Sequence, residues 1–408
     1  MIGAFPRRLG PDLCEACVKC LPAAWRVESD LSTLELETPP PRFDRRSRSP
    51  AANAPRPRWA RHELNVALCV PLGGSAGLWG PSALACAELA VAELNAASGM
   101  AGRACRLITV NAADNDTSIE ANLLDLVGSG EVDALVGLHT SAVRQRIVRV
   151  VGGRLPFVYT PLYEGGERTP GVFAIGETTA QQLRPVIAWL SQRKRPKRWY
   201  FVGNDYVWPH VAHRVARGCV SDCGGAVVGE KFLPFGTTDY SEVLDQIRRL
   251  RCDAVMLSLI GQDEVDFNRA FGRAGLSAAA LRLSSVIAEN ELLGIGAENT
   301  ENLFVTAGYF ADLQTDANLA FKERYHALFG RRAPTLNTFG QSTYEGIHFL
   351  ASVFGAARDD TQPWRQLGRR PLDHQSARDV GVTSAGTRRL PIYLAQAEGH
   401  LFRLIARL

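Results

Sequence analysis

Four hydroxyl-bearing residues, Thr140, Ser141, Tyr159 and Thr160, fall at the ends of two short apolar runs and together could grip one small polar molecule. Ala134 to Leu138 is apolar, His139-Thr140-Ser141 follows, and apolar residues then recur at helical spacing through Ile147, Val148 and Val151. This reads as strand, turn and helix. Phe157-Val158-Tyr159 follows Pro156 and stops at Thr160-Pro161, a second strand. Two buried parallel strands would deliver these residues to one edge of an open sheet, the edge at which ligands bind in such folds. Ser141 stands where it can cap the helix, and the free N–H groups of the first turn would draw a carbonyl, carboxylate or other oxygen-rich group. The expected site is small, polar and neutral to slightly positive.

Other residues could carry different chemistry. Asn204-Asp205-Tyr206-Val207-Trp208-Pro209 closes another strand with hydrogen-bonding and aromatic groups. Gly73 to Gly77 matches G-x-S-x-G, the pattern of a hydrolase nucleophile elbow around Ser75, but Leu78-Trp79-Gly80 intervene before the helix. A glycine-rich loop bordering a cleft with Trp79 is the better account. Cys14, Cys17 and Cys20 could offer three thiolates to a metal, but no fourth ligand is near, so free thiols in a tail are expected. His210 and His213 read as surface residues of a helix, and Cys219 and Cys223 as small buried hydrophobes. No cofactor or metal is expected.

These residues need a framework of alternating strands and helices. Strand patterns run from Leu64 to Val70, Arg106 to Asn111, Arg198 to Gly203, Val227 to Phe232, Asp253 to Leu257 and Arg282 to Ser285, separated by helical ones. Such alternation predicts parallel sheets covered by helices on both faces, in two α/β lobes. The chain has 408 residues, 46% of them hydrophobic, enough for two domains and a tail. The Pro- and Arg-rich start, 1–62, is expected to be an arm or linker. Lobe 1 is expected at 63–178 plus 310–375, and lobe 2 at 179–309 plus 376–408. The net charge is +4 and no basic stripe crosses the body, so neither nucleic acid nor an anionic membrane is indicated. Nine irregularly spaced cysteines fit a reducing compartment better than a disulfide framework. No apolar run is long enough for membrane insertion, and no signal peptide is visible at the start as given. A cytoplasmic location follows, with a periplasmic one if the start codon is misassigned.

Several phrases resemble one family. Glu88-Leu-Ala-Val-Ala-Glu-Leu-Asn95 through Gly102-Arg103 is similar to the first helix and turn of type I periplasmic-binding-protein-like receptors of the branched-chain amino-acid group. Val136 to Ser141, Tyr159 to Gly165, Gly203 to Pro209 and Ile287 to Glu291 resemble the amide- and urea-binding branch, which includes the aliphatic-amidase regulator and urea-transport receptors. The resemblance runs from about Leu64 to Leu408. It implies two Rossmann-like lobes joined by three crossings and closing on a small ligand without catalysis. Carried over, it assigns ligand contact to Ser141, Tyr159, Pro161, Leu162, Tyr206, Trp208 and Ile260. Val286 replaces the usual serine or threonine, with Ser285 able to substitute if the loop shifts by one. Tyr309 is expected at the cleft floor. An amino-acid ligand would need a carboxylate for its ammonium group, supplied by Asp205 or Glu164, each of which could instead pair within its lobe.

The function expected is therefore a non-catalytic receptor for a small amide, urea or short amino acid, signalling by lobe closure as a cytoplasmic regulator. The alternative is the solute-binding component of an ABC transporter for urea, amides or branched-chain amino acids. A serine hydrolase using Ser75 and a scaffold recruiting a partner through the arm are the lesser readings. The partners implied are the small ligand, a regulatory protein or an ABC permease, and a second copy of the chain.

Overall fold

The computed structural model describes residues 63–356, 364–367, 372, 374, 376–378 and 390–408. The expected arm at 1–62, with Cys14, Cys17 and Cys20, and most of the polar 359–389 segment lie outside the described residues. The first lobe is built from β1 (Glu63–Val70), α1 (Gly80–Ala96), β2 (Ala104–Asn111), α2 (Ile119–Gly128), β3 (Ala134–Gly137), α3 (Ser141–Val151), β4 (Phe157–Tyr159) and β5 (Val172–Ala174). Its sheet is entirely parallel in the order β2-β1-β3-β4-β5. Side-chain alternation along β1 explains the two covered faces. Leu64, Val66 and Leu68 join the core under α1, whereas Ala67 and Cys69 join Ile119, Leu123, Val143 and Ile147 beneath α2 and α3. Each large aliphatic side chain so buried is worth roughly 1.5–3 kcal/mol.

The chain then continues as α4 (Thr179–Arg193), β6 (Arg198–Asn204), α5 (Val207–Asp222), β7 (Ala226–Leu233), α6 (Ser241–Arg249), β8 (Ala254–Ser258), α7 (Gly261–Arg273), β9 (Leu281–Ser284), α8 (Glu289–Ile295) and β10 (Leu303–Ala307). It returns through α9 (Asp316–Phe329), α10 (Thr338–Ala356) and α11 (Trp364–Leu367), and ends in β11 (Tyr393–Glu398) and β12 (Leu401–Arg407). The second sheet has the order β12-β11-β10-β9-β8-β6-β7, with only the closing hairpin antiparallel. This is the two-lobed α/β fold with parallel sheets that the alternation predicted. The start of α4 is fixed by a capping box, in which Thr178 and Gln181 satisfy each other's free backbone N–H groups. Arg324 of α9 pairs with Glu93 of α1 at 2.7 Å, and α10 packs along α1, so both returning helices belong to the first lobe.

The chain passes between the sheets three times: after β5, after β10 and between α11 and β11. All three passages meet at one guanidinium. Arg378, on the third, donates to Glu345 of α10 through Nε at 3.1 Å and Nη2 at 2.8 Å, and through Nη1 to Glu177 on the first. Gly308 on the second abuts the pair, since a Cβ there would lie 1.9 Å from Glu177 Oε1 and 2.8 Å from Arg378 Nη1. Burial alone would push the Glu345 carboxyl up. Arg378, His374 and their hydrogen bonds outweigh it and hold the group below the ordinary carboxylate range.

Candidate functional site

Between the lobes lies a cavity of about 20 Å³, lined at every point by residues that follow strand ends or open helices. The first lobe contributes Trp79, His139, Thr140, Ser141, Tyr159, Pro161, Leu162 and Phe339. The second contributes Tyr206, Trp208, Ile260 and Val286. Parallel strands put their carboxyl ends on one edge of each sheet, and the two edges face one another across the cleft. The space holds roughly one or two waters. The lobes therefore stand closed, and the walls must part for a larger guest.

The first-lobe wall is rigidly built. Thr140, not Ser141, caps α3: its backbone is extended (φ −66°, ψ 156°) and its Oγ1 accepts from Val143 N at 3.4 Å. The expected cap is thus displaced by one residue, because the chain becomes helical at Ser141 itself. Ser141 Oγ donates instead to Glu164 Oε2 at 2.5 Å, and Arg144 Nη2 meets Glu164 Oε1 at 2.5 Å. The Arg144 guanidinium lies 5.1 Å from the Tyr159 ring centre and 5.4 Å from that of Tyr163. Tyr159 donates through its hydroxyl to His139 O at 2.7 Å. His139 is buried, and burial pushes its pKa down to about 3, so the imidazole is neutral. Trp79 stacks on Phe339 with centroids 4.2 Å apart.

The second-lobe wall is aromatic and aliphatic. Tyr206 and Trp208 sit 6.3 Å apart, and Tyr206 also packs on Phe235 at 5.3 Å. Trp208 is buried, and its indole Nε1–H has no protein acceptor. An unmet donor of this kind costs about 1–3 kcal/mol until a guest supplies an acceptor. Direct bonds also cross the cleft: Ser75 Oγ to Asp263 Oδ1 at 3.1 Å, Asn290 Nδ2 to Leu78 O at 2.7 Å, and Asn337 Nδ2 to Asn290 Oδ1 at 2.7 Å. Ser75 thus answers to a carboxylate rather than an imidazole, and the geometry is that of a lobe contact rather than a nucleophile elbow.

Eight of the ten residues named from sequence as ligand contacts line this cavity: Ser141, Tyr159, Pro161, Leu162, Tyr206, Trp208, Ile260 and Val286. Ser285 lines a smaller neighbouring cavity. Tyr309 lines neither; it is fully buried and donates to Asn318 Oδ1 at 2.7 Å, a packing role that corrects the expected cleft floor. Asp205 is also displaced from the expected site, being 64% exposed and paired with His210 at 2.8 Å. Glu164 takes the second of its two readings, pairing within its own lobe. His213 is buried against Glu230 at 2.9 Å rather than on the helix surface. Phe339, Glu177 and Arg378 were not singled out from the sequence. The aromatic just after Asn337-Thr338, and the carboxylate just after a buried strand, are the only local signals they leave. Among the described residues, no cluster of three or more His, Cys, Asp or Glu could hold a metal, and no helix is long and apolar enough to cross a membrane.

Residues 63–364 match the family described as periplasmic binding proteins. The chain belongs to the periplasmic binding protein family. Among curated relatives, the Leu/Ile/Val-binding protein homolog 6 of Brucella melitensis is 25% identical over 193 residues, 46% of this chain and 49% of the relative. The Brucella abortus homolog 6 matches to the same extent. The chain thus spans about half the length of the curated relatives it matches. Solved structures share the fold. A solute-binding protein of an ABC transporter from Rhodopseudomonas palustris, in complex with p-hydroxybenzoic acid, superposes with a TM-score of 0.76 at 20% identity, covering 85% of this chain and 97% of the other. The branched-chain amino-acid transporter binding protein of Streptococcus pneumoniae, in complex with isoleucine, gives 0.70 at 17% identity, covering 85% and 100%. The two solved structures are binding proteins of transporters, and the curated relatives are named as homologs of Leu/Ile/Val-binding protein.

Proposed function

We propose that this periplasmic binding protein is a receptor for a small solute, closing its lobes around it and presenting it to an ABC permease on the outer side of the membrane. The observation that carries this reading is the shared cavity: Trp79, Tyr159 and Phe339 from one lobe face Tyr206 and Trp208 from the other, so a guest contacts both lobes only when they close. The relatives support the transporter role over the regulator. The donors in the cavity, the Trp79 and Trp208 Nε1–H groups and the open first turn of α3, suit a carbonyl or carboxylate oxygen on an apolar body. An amide fits that description, as does a small carboxylic acid. The test is a thermal-shift screen of the protein against urea, short amides, aliphatic amino acids and aromatic acids, with Trp208→Ala alongside. Binding to the folded state raises the midpoint by mass action. At least one solute should shift the wild type and fail to shift the variant; an unresponsive wild type across the whole panel would contradict the reading.

A further inference from the structure

Beside the main cavity lies a second, of about 10 Å³, which shares Pro161, Leu162 and Phe339 with it. The two are compartments of one cleft, divided by an apolar waist. Their unmet polar groups differ. The main compartment's unmet donors are the Trp79 and Trp208 indole N–H groups, beside the α3 amide groups. The side compartment adds acceptors to a lining that also holds the hydroxyls of Thr160, Ser285, Thr338 and Ser342. Glu177 and Gln182, both buried, line it, and Gln182 Oε1 has no partner. Arg378 also lines it, but its guanidinium is engaged by Glu345 and Glu177 through all three nitrogens. A carboxylate entering here would meet two carboxylates behind one committed cation, whereas a hydrogen-bond donor would find Glu177 and Gln182 ready to accept.

We infer that the cleft takes an elongated ligand with an apolar middle: an acceptor oxygen at the Trp208 end, and a hydroxyl, amine or amide N–H at the Glu177–Gln182 end. This rests on the receptor reading above and narrows it to a two-ended solute. Pro161, Leu162 and Phe339 would clasp the middle, and Ser285 stands at the far end as a further polar wall.

The experiment is titration calorimetry with matched pairs that differ only in the far group: butyramide against 4-hydroxybutyramide and 4-aminobutyramide, and benzamide against 4-hydroxybenzamide. The member with the far donor should bind about tenfold tighter, as one hydrogen bond to a charged or unmet acceptor allows. In Gln182→Met that ratio should fall toward one, and Ser285→Ala serves as the second variant should Gln182→Met fold poorly. The amine arm separates a cationic donor from a neutral one. Equal binding within the pairs, or an advantage that survives in both variants, overturns the two-ended ligand while leaving the receptor intact. Binding of aliphatic amino acids alone does the same. No binding by these pairs, urea, amino acids or aromatic acids defeats the receptor reading itself.

Discussion

The two sides of the cleft treat buried carboxylates in opposite ways. In the first lobe and the hinge, four buried or half-buried carboxylates are matched by a cation, Glu164 by Arg144, Glu93 by Arg324, and Glu345 and Glu177 by Arg378, while buried Asp133 accepts from Asn65 N at 2.9 Å. In the second lobe, Glu264 and Glu291 are fully buried without such a match, and Glu289 lies close to Glu291. Arg282, the cation that acts on Glu264, directs its guanidinium to Asn268 Oδ1, Asn299 O and Glu301 O. Burial pushes Glu264 up to about 8, and Glu289 and Glu291 to about 7. The first lobe and hinge are thus mostly a charged, fixed frame, while in the second lobe burial raises Glu264 most, with Glu291 and Glu289 raised as well.

Breaking the fixed frame should have the largest effect. Arg378→Met strands Glu345 and Glu177 in the interior, and urea denaturation should show a loss of about 3–5 kcal/mol. Adding Glu177→Gln and Glu345→Gln should restore much of it. A single-variant loss below about 1 kcal/mol would mean the three crossings do not depend on this pairing.

The next contrast is in pH dependence. Glu93 is held down to about 2: burial opposes this, but hydrogen bonds from His348, Tyr344 and Arg324 outweigh it. Glu345 is lowered as well, so both contribute stability above the ordinary 4.5 that is lost as pH falls through their folded values. Glu264, with a raised folded value, works in reverse: between 4.5 and about 8 only the folded state keeps its proton, so stability falls as pH rises. Melting temperatures from pH 5 to 9 should decline in the wild type and decline less in Glu264→Gln. Parallel curves would remove the distinction between the lobes.

Smaller effects sharpen the picture at the site. Trp208→Phe keeps a ring but removes the indole N–H, and should weaken a bound solute by about three- to tenfold in calorimetry. Ser141→Ala leaves Arg144 on Glu164, so chemical denaturation should show a loss of only about 0.5–1 kcal/mol. A larger loss would make the hydroxyl, not the guanidinium, the main tether of the 161–167 loop.

Much of this was legible in the sequence because it is local. Short continuous apolar runs with turn residues at their ends mark β3, β4 and β6, and the parallel sheet then forces Ser141, Tyr159, Tyr206 and Trp208 onto facing edges. What failed was either finer than one residue or longer than local pattern can carry. Thr140 and Ser141 are both good caps, and only the backbone turn decides between them. Tyr309 ends a strand as a cleft residue would, but Asn318, nine residues on, captures its hydroxyl. The Arg378 pairing joins residues 33 and 201 positions apart, a separation that leaves no periodic trace.

The central claim is that one solute is held jointly by both lobes. Its most direct test is calorimetric titration of the solute found by screening into wild type, Trp79→Ala and Trp208→Ala. The account predicts at least a tenfold loss of affinity, about 1.4 kcal/mol, from either substitution, since each removes one wall of the same cavity. Undiminished binding in Trp208→Ala, with loss only in Trp79→Ala, would contradict it and confine the site to the first lobe.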